Sequence, residues 1–127
     1  MKAKRSFGKE VAVLSNAELQ KLLKSYIPMT EASFMVLASL VHENHGYGIM
    51  MEAARLTGGR VNLGAGTVYT LIYKMENDGL IFAVREEERR KIYSITPEGM
   101  TILQAESDRL AQAARIAEQA LRQFQPV

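Results

Sequence analysis

The chain has 127 residues, 47% hydrophobic and 24% charged, the balance of one folded domain with a modest core and not of a disordered chain. It holds no cysteine, which excludes disulfides, thiolate nucleophiles and cysteine-based zinc sites and fits a reducing compartment. Its net charge of +2 says little about partners, no apolar run reaches the roughly 18 residues of a membrane span, and "MKAKRSFGKEVAVLSN" lacks the apolar stretch of a signal peptide, so a cytoplasmic location is expected.

Residues 1 to about 14 read as a weakly structured arm that carries Lys2, Lys4, Arg5 and Lys9. Ser15 or Asn16 caps a short helix to about Tyr26, with Leu19, Leu22 and Leu23 on one side. Ile27-Pro28 ends it, because the residue before a proline is driven out of the helical region. Thr30-Glu31 opens a second helix in which Phe34, Leu37, Ala38 and Val41 take the spacing of one buried face. Met35, Val36 and Leu40 widen that face, so a central position is expected, with the helix ending near Asn44 and a turn at His45-Gly46. A third helix, Tyr47 to Leu56, is expected to bury Tyr47, Met50, Met51 and Ala54 before Thr57-Gly58-Gly59 breaks it.

The next segment, "LGAGTVYTLIYKMENDGLI", starts a helix on glycine and alanine and then carries the stripe Val68, Leu71, Ile72 and Met75. Asn77-Asp78-Gly79 ends it with a glycine able to turn left-handed. Leu80 to Arg85 and Lys91 to Thr96 read as two strands joined by a longer charged loop, "EEER". A final helix takes Thr96 as N-cap, Pro97 in its first turn and Glu98 near the positive end of its dipole. Reaching about Phe124, it would be roughly 40 Å long, more than a core of this size can cover. Leu103, Leu110, Ala114, Ala117, Leu121 and Phe124, with a 4-3 spacing from Leu110 onward and Ser107 as the polar break, read as the seam of a helix pair and hence of a homodimer. The bland alternative is that this helix folds back on its own domain.

Four pieces of the sequence, "HGYGI" at 45–49, "GTVY" at 66–69, "MENDGLI" at 75–81 and "RRKIYSITPEG" at 89–99, stand in an order and spacing that resembles the PadR-like winged-helix transcriptional regulators. The resemblance covers roughly residues 30–99. It implies a mainly α fold with a small β-hairpin, a winged helix-turn-helix at 29–96 after the arm and short helix of 1–28, and a dimerisation helix at 97–127. It also implies operator binding and transcriptional repression, relieved by a small-molecule effector that the sequence does not identify.

The bare helix start agrees with that implication. With Gly64 as N-cap, the N–H groups of Ala65, Gly66 and Thr67 have no partner within the helix and point outward with partial positive charge behind them. Missing side chains let a phosphate approach. A nucleotide loop would need a G-x-x-x-x-G-K-[ST] lysine or a G-x-G-x-x-G after a strand, and neither is present. Double-stranded DNA, which the resemblance implies, is the expected partner. Thr67, Thr70, Lys74 and Asn77 lie together opposite the apolar stripe, flanked by Tyr69 and Tyr73, and suit base edges and phosphates. In isolation a solvated face would match that pattern equally well; in helix-turn-helix order it reads as the DNA face. Gly66 and Tyr69 would hold phosphates through their backbone, and Arg89, Arg90 and Lys91 would flank the contact.

The chain departs from the family where Ser-Pro is often found, having Gly64-Ala65 there, and its helix carries a single lysine. Glu86, Glu87 and Glu88 in the hairpin tip would repel phosphates if they faced DNA. The basic arm could compensate along a backbone or minor groove, or serve only as a solubilising tail. His42 and His45 in "HENH" lack H-E-x-x-H spacing and read as helix-end residues, so neither a metal nor any other cofactor is expected. No Ser-His-Asp set and no acidic pair in a cleft is evident, which speaks against an enzyme. Met35, Met50, Met51 and Met75 read as core. Without tryptophan, stacking of an effector on an indole is excluded. The rival reading is a winged-helix interaction module that docks a partner protein, with the acidic tip in its favour.

Overall fold

A computed structural model describes residues 3–6 and 9–127. At the N-terminus, β1 (Ala3–Ser6) and β2 (Lys9–Ala12) pair antiparallel, Ala3 opposite Ala12 and Ser6 opposite Lys9. Little structure was expected there; the pairing gives these backbone groups partners that a lone arm would seek in water. Lys2 and the side chains of Lys4, Arg5 and Lys9 lie outside the described residues.

Helix α1 (Asn16–Tyr26) begins with a reciprocal capping box. The Glu18 N–H donates to Ser15 Oγ and the Ser15 N–H donates to Glu18 Oε1, both at 3.1 Å. Leu19, Leu22 and Leu23 pack on the core as expected. Helix α2 (Glu31–Ala38), capped by Thr30, ends six residues before the expected Asn44. The Ser39 hydroxyl donates back to the Met35 carbonyl at 2.6 Å, and the Leu40 N–H reaches only three residues back, to Leu37. The chain then extends so that Asn44 and Tyr93 exchange two hydrogen bonds, at 3.0 and 2.8 Å, and the Leu40 carbonyl accepts from the Ile95 N–H. A strand edge thus competes for the carbonyls and amides that a longer helix would have used, and Val41, expected on the buried face, is exposed.

Helix α3 (Gly46–Leu56) starts where a turn was expected, with His45 as N-cap. Its buried face is Gly46, Ile49 and Ala53, not Tyr47, Met50, Met51 and Ala54. Tyr47 and Met51 are exposed, while Met50 and Ala54 are half-buried, so the stripe is rotated by about one position from the expected one. Helix α4 (Ala65–Asn77) buries Val68, Ile72 and Met75 and half-buries Leu71, and Gly79 after it sits at φ +78°.

Strands β3 (Ile81–Glu87) and β4 (Arg90–Ile95) pair from Ile81–Ile95 to Glu87–Arg90, with an irregularity between Ala83 and Arg85. The expected four-residue loop is a tight turn instead, with Glu88 at φ 49° and Arg89 at φ 66°. Opposite-charge cross-strand partners, Glu86–Lys91 and Glu87–Arg90, extend the ladder to its tip. A left-handed two-residue turn matches the twist of such a ladder even without its usual Asn-Gly.

Helix α5 (Pro97–Gln123) starts at a junction with the end of α4. The Thr96 hydroxyl accepts from the Gly99 N–H at 3.0 Å and donates to the Gly79 carbonyl at 2.7 Å. Gly99 has no room for a side chain, since a Cβ there would lie 2.2 Å from the Leu80 carbonyl oxygen. Further along, Glu106 is 2% exposed. It accepts from the Met29 N–H at 3.1 Å and from Arg109 through two bonds of 2.8 and 2.7 Å. The Arg109 guanidinium holds this carboxyl below the usual carboxylate range against the opposing effect of burial. Val36, Leu37, Leu40, Ile49, Val68, Ile72, Met75, Leu80, Ile81 and Ile102 form one core shared by α2–α5 and the β3–β4 hairpin. The architecture is a winged helix-turn-helix, with α3 and α4 as the helical pair and β3–β4 as the wing, followed by a long C-terminal helix.

Candidate nucleic-acid interface

Helix α4 has no side-chain cap: Gly64 contributes only its carbonyl, which accepts from the Val68 N–H at 3.1 Å. Gly64, Ala65, Gly66 and Thr67 are all exposed. A Cβ placed on Gly64 or Gly66 would meet nothing within 4 Å, and neither glycine has a positive φ. The fold therefore does not require glycine at either position. What the glycines leave open is the space outside the protein, in front of the first-turn N–H groups.

Thr67, Tyr69, Thr70, Tyr73, Lys74 and Asn77 are exposed along α4, on the side away from Val68, Ile72 and Met75. Small hydroxyls, phenols and an amide thus share one accessible face of a helix anchored by its other face. Tyr73 is exposed to 73%, against 53% for Tyr69.

Lys74 behaves differently from the others. Its Nζ lies 3.0 Å from Asp78 Oδ2 and 4.1 Å from the centroid of the Tyr26 ring. The Tyr26 hydroxyl donates to that same Asp78 oxygen at 2.7 Å. Burial first, then this hydrogen bond to an anion, pushes the Tyr26 phenol well above its ordinary range. The single lysine of α4 is thus turned along its helix toward α1, and its charge is met within the protein. Asp78 was read from sequence only as part of the turn that ends the helix, although Lys74 and Asp78 stand at the i, i+4 spacing of helical ion pairs.

The wing cations are on the side of Tyr69. The Tyr69 ring lies so close to Gly46 that a Cβ there would be 2.5 Å from the phenol carbon. Around this contact, Arg89, Arg90, Lys91 and Tyr93 from the wing and His45 and Tyr47 from the start of α3 line a cavity of about 240 Å³. The Arg90 guanidinium carbon is 6.0 Å from the Tyr47 ring centroid. His45 and Tyr47 are further residues that the sequence reading left out of the interface. Their signal was the N-cap position of His45, which was read as a turn.

The glutamates of the wing are partly compensated. Arg85 donates to Glu87 and to Glu43, each at 2.6 Å, and these contacts tie the wing to the segment before α3. Those partners hold the Arg85 guanidinium firmly protonated, Glu87 contributing most. Glu86 stands opposite Lys91 in the ladder, and Glu88 occupies the exposed turn.

Leu103 of the expected helix seam is half-buried against the chain's own core. Leu110, Ala114, Ala117, Leu121 and Phe124 are exposed, Leu121 to 77% and Phe124 to 73%. Ile116, absent from the expected seam because it falls outside the 4-3 spacing, is another large exposed apolar residue on this helix. Among the described residues, no helix is long and apolar enough to cross a membrane.

Solved structures share this fold. A transcriptional regulator from Clostridium thermocellum is 21% identical with a TM-score of 0.63, over 84% of this chain and 97% of that one. A PadR family transcriptional regulator from Eggerthella lenta is 20% identical with a TM-score of 0.60, over 85% of this chain and 92% of that one. A PadR family transcription regulator from Clostridium difficile is 24% identical with a TM-score of 0.59, over 72% of this chain and 99% of that one. No curated protein matches the sequence. The Transcriptional regulator PadR-like family matches residues 35–105, from the middle of α2 through the wing and into α5. That span is more than half of the chain, and the chain belongs to the PadR-like family of transcriptional regulators, which are DNA-binding regulators and not enzymes.

Proposed function

We propose that this regulator is a homodimeric, sequence-specific repressor that acts in the cytoplasm on a pseudo-palindromic operator. The observation that carries the reading is the placement of the bare start of α4 and its exposed Thr67, Thr70 and Asn77 on a helix whose wing side bears Arg89, Arg90 and Lys91. Residues 29–96 would be the DNA-binding unit and 97–127 the dimerisation helix, with 1–28 flanking them. Two copies of α4 would then enter successive major grooves about 34–36 Å apart. The first-turn amides and Tyr69 would hold phosphates, and Thr67, Thr70, Tyr73 and Asn77 would meet base edges and the backbone. Exposed Leu110, Ile116, Leu121 and Phe124 favour a paired α5, since apolar side chains of this size on one helix gain most by facing a copy of themselves.

Relief by a small molecule fits a cavity of about 460 Å³ between α2, α3 and α5, whose apolar wall includes Met29, Phe34, Met35 and Leu56. Leu110 also lines it, so such an effector would lie beside the proposed seam.

The test is binding to duplex DNA from upstream of the protein's own gene against scrambled duplex, at two salt concentrations. A preference for the upstream duplex that survives the higher salt is expected. Equal loss of both duplexes would remove the operator reading and favour a winged-helix module that docks a protein.

A further inference from the structure

The cavity between α2, α3 and α5 joins an apolar wall to an uneven set of polar groups. Met29, Phe34, Met35, Leu56 and Leu110 line it, and Leu56 and Leu110 are themselves exposed. Among the described residues of the lining, Thr57 alone is polar without charge, and its hydroxyl is already used. It donates to the Ala53 carbonyl at 2.7 Å and accepts from the Val61 N–H at 3.0 Å. A ligand body that carried hydroxyls or amides would find no free uncharged side-chain partner there, whereas a plain hydrocarbon needs none. The flexible thioethers of Met29 and Met35 suit a body of that kind.

Four charged residues complete the lining, Glu31, Arg60, Glu106 and Arg109, and they are not equally available. The Glu106 carboxylate is 2% exposed and already accepts from the Met29 N–H and twice from Arg109. Arg109 uses Nε and Nη2 for those two bonds, so its Nη1 takes no part in them. Arg60 Nη1 lies 2.7 Å from Glu31 in an exposed pair, and a guanidinium has donors beyond that one contact. The spare hydrogen-bonding capacity is thus mainly donor and cationic. A carboxylate would accept from both arginines, whereas an ammonium would reach only Glu31, in competition with Arg60.

Resting on the reading of this cavity as the effector site, we infer that it takes a medium-chain fatty acid, its carboxylate on Arg60 and Arg109 and its hydrocarbon against the methionine-lined wall. Arg60 also connects the ligand to α4. It stands in the turn between α3 and α4, directly after Gly58 and Gly59 at φ +60° and +86°. Its pair with Glu31 ties that turn to the first residue of α2. A carboxylate that draws Arg60 away from Glu31 loosens the segment leading into the start of α4, so ligand and duplex oppose each other.

The experiment titrates the full chain by calorimetry with decanoate and with decyltrimethylammonium, each below its micelle-forming concentration, and repeats the decanoate titration on Arg60→Gln and Ala38→Leu. Ala38 lines the cavity, so the longer side chain fills part of it. Melting temperatures verify that both variants fold. Decanoate is expected to bind, and the cation with the same tail to bind about tenfold more weakly or not at all. Arg60→Gln should weaken decanoate about tenfold, the loss of one charge-assisted hydrogen bond, and Ala38→Leu should weaken it as well. Absence of decanoate binding overturns the inference, as does equal binding of the two amphiphiles. Decanoate affinity unchanged in both folded variants places the molecule elsewhere on the protein and overturns it too. A second arm measures affinity for the upstream duplex with and without saturating decanoate, and a fall is expected. Duplex affinity that stays constant while decanoate binding remains sensitive to Arg60→Gln leaves the fatty-acid site standing and overturns relief through it.

Discussion

Asp78→Asn separates the stability of α4 from its action on DNA, because one carboxylate oxygen serves both Tyr26 at 2.7 Å and Lys74 at 3.0 Å. Asparagine preserves an acceptor for the Tyr26 hydroxyl but removes the charge. A hydrogen bond to a charged group contributes about 1.5–3 kcal/mol and a neutral one about 0.5–1.5, so the loss through Tyr26 is about 1 kcal/mol. The Lys74 ion pair adds little, since the Lys74 side chain is about half exposed and such pairs contribute roughly 0.2–1 kcal/mol before screening. The variant should therefore melt several degrees lower. Its affinity for DNA should move the other way. A freed Lys74 that reaches a phosphate steepens the salt slope by about 0.9, and a fourfold rise in salt then costs the variant about 3.5-fold more affinity than the parent. Chemical denaturation gives the first quantity and anisotropy titrations at several salt concentrations give the second. If the slope of the folded variant equals that of the parent, Asp78 does not hold Lys74 away from DNA.

Leu110→Asp combined with Leu121→Asp should convert the proposed dimer to a monomer in sedimentation equilibrium. Surviving dimers would place the seam elsewhere on the molecule. Gly99→Ala forces a Cβ to within 2.2 Å of the Leu80 carbonyl oxygen and should cost about 1–3 kcal/mol, read by denaturant unfolding. A parent-like midpoint would mean that the junction of α5 with the β3 start is not tight. Glu106 has a folded-state pKa below its ordinary 4.5, principally because of Arg109, so its contribution is fully present above 4.5 and is lost as pH falls from there through the folded-state pKa. Glu106→Gln should thus lower stability by about 1–2 kcal/mol near neutrality and flatten the acid limb of a melting-temperature profile. An acid limb identical to that of the parent would remove Glu106 from that role.

Wherever a helix is governed by its own ends and stripe, the sequence was enough to place it. The bounds of α1, the span and buried stripe of α4, the left-handed Gly79 and the cap of α5 all rest on residues close in sequence: the Ser15–Glu18 and Thr96–Gly99 caps, and the spacing of Val68, Ile72 and Met75. The accessible polar face of α4, proposed to meet DNA, follows from the same periodicity. Where segments distant in sequence compete for one backbone, only the tertiary structure decided. Strand β4 takes Leu40 and Asn44 from the end of α2, and this ends the helix early and lets His45 cap α3. The rotated face of α3 follows from packing against α4, in which Gly46 accepts the Tyr69 ring, a contact that local hydrophobic spacing cannot register. Lys74 is the sharpest case. Its position on α4 was legible from the sequence, but its partners were not, because Tyr26 lies 52 residues from Asp78 along the chain and the two meet only when α1 packs onto the helix end. Periodicity assigns a side chain to a face; what neutralises its charge depends on which other element the fold brings beside it.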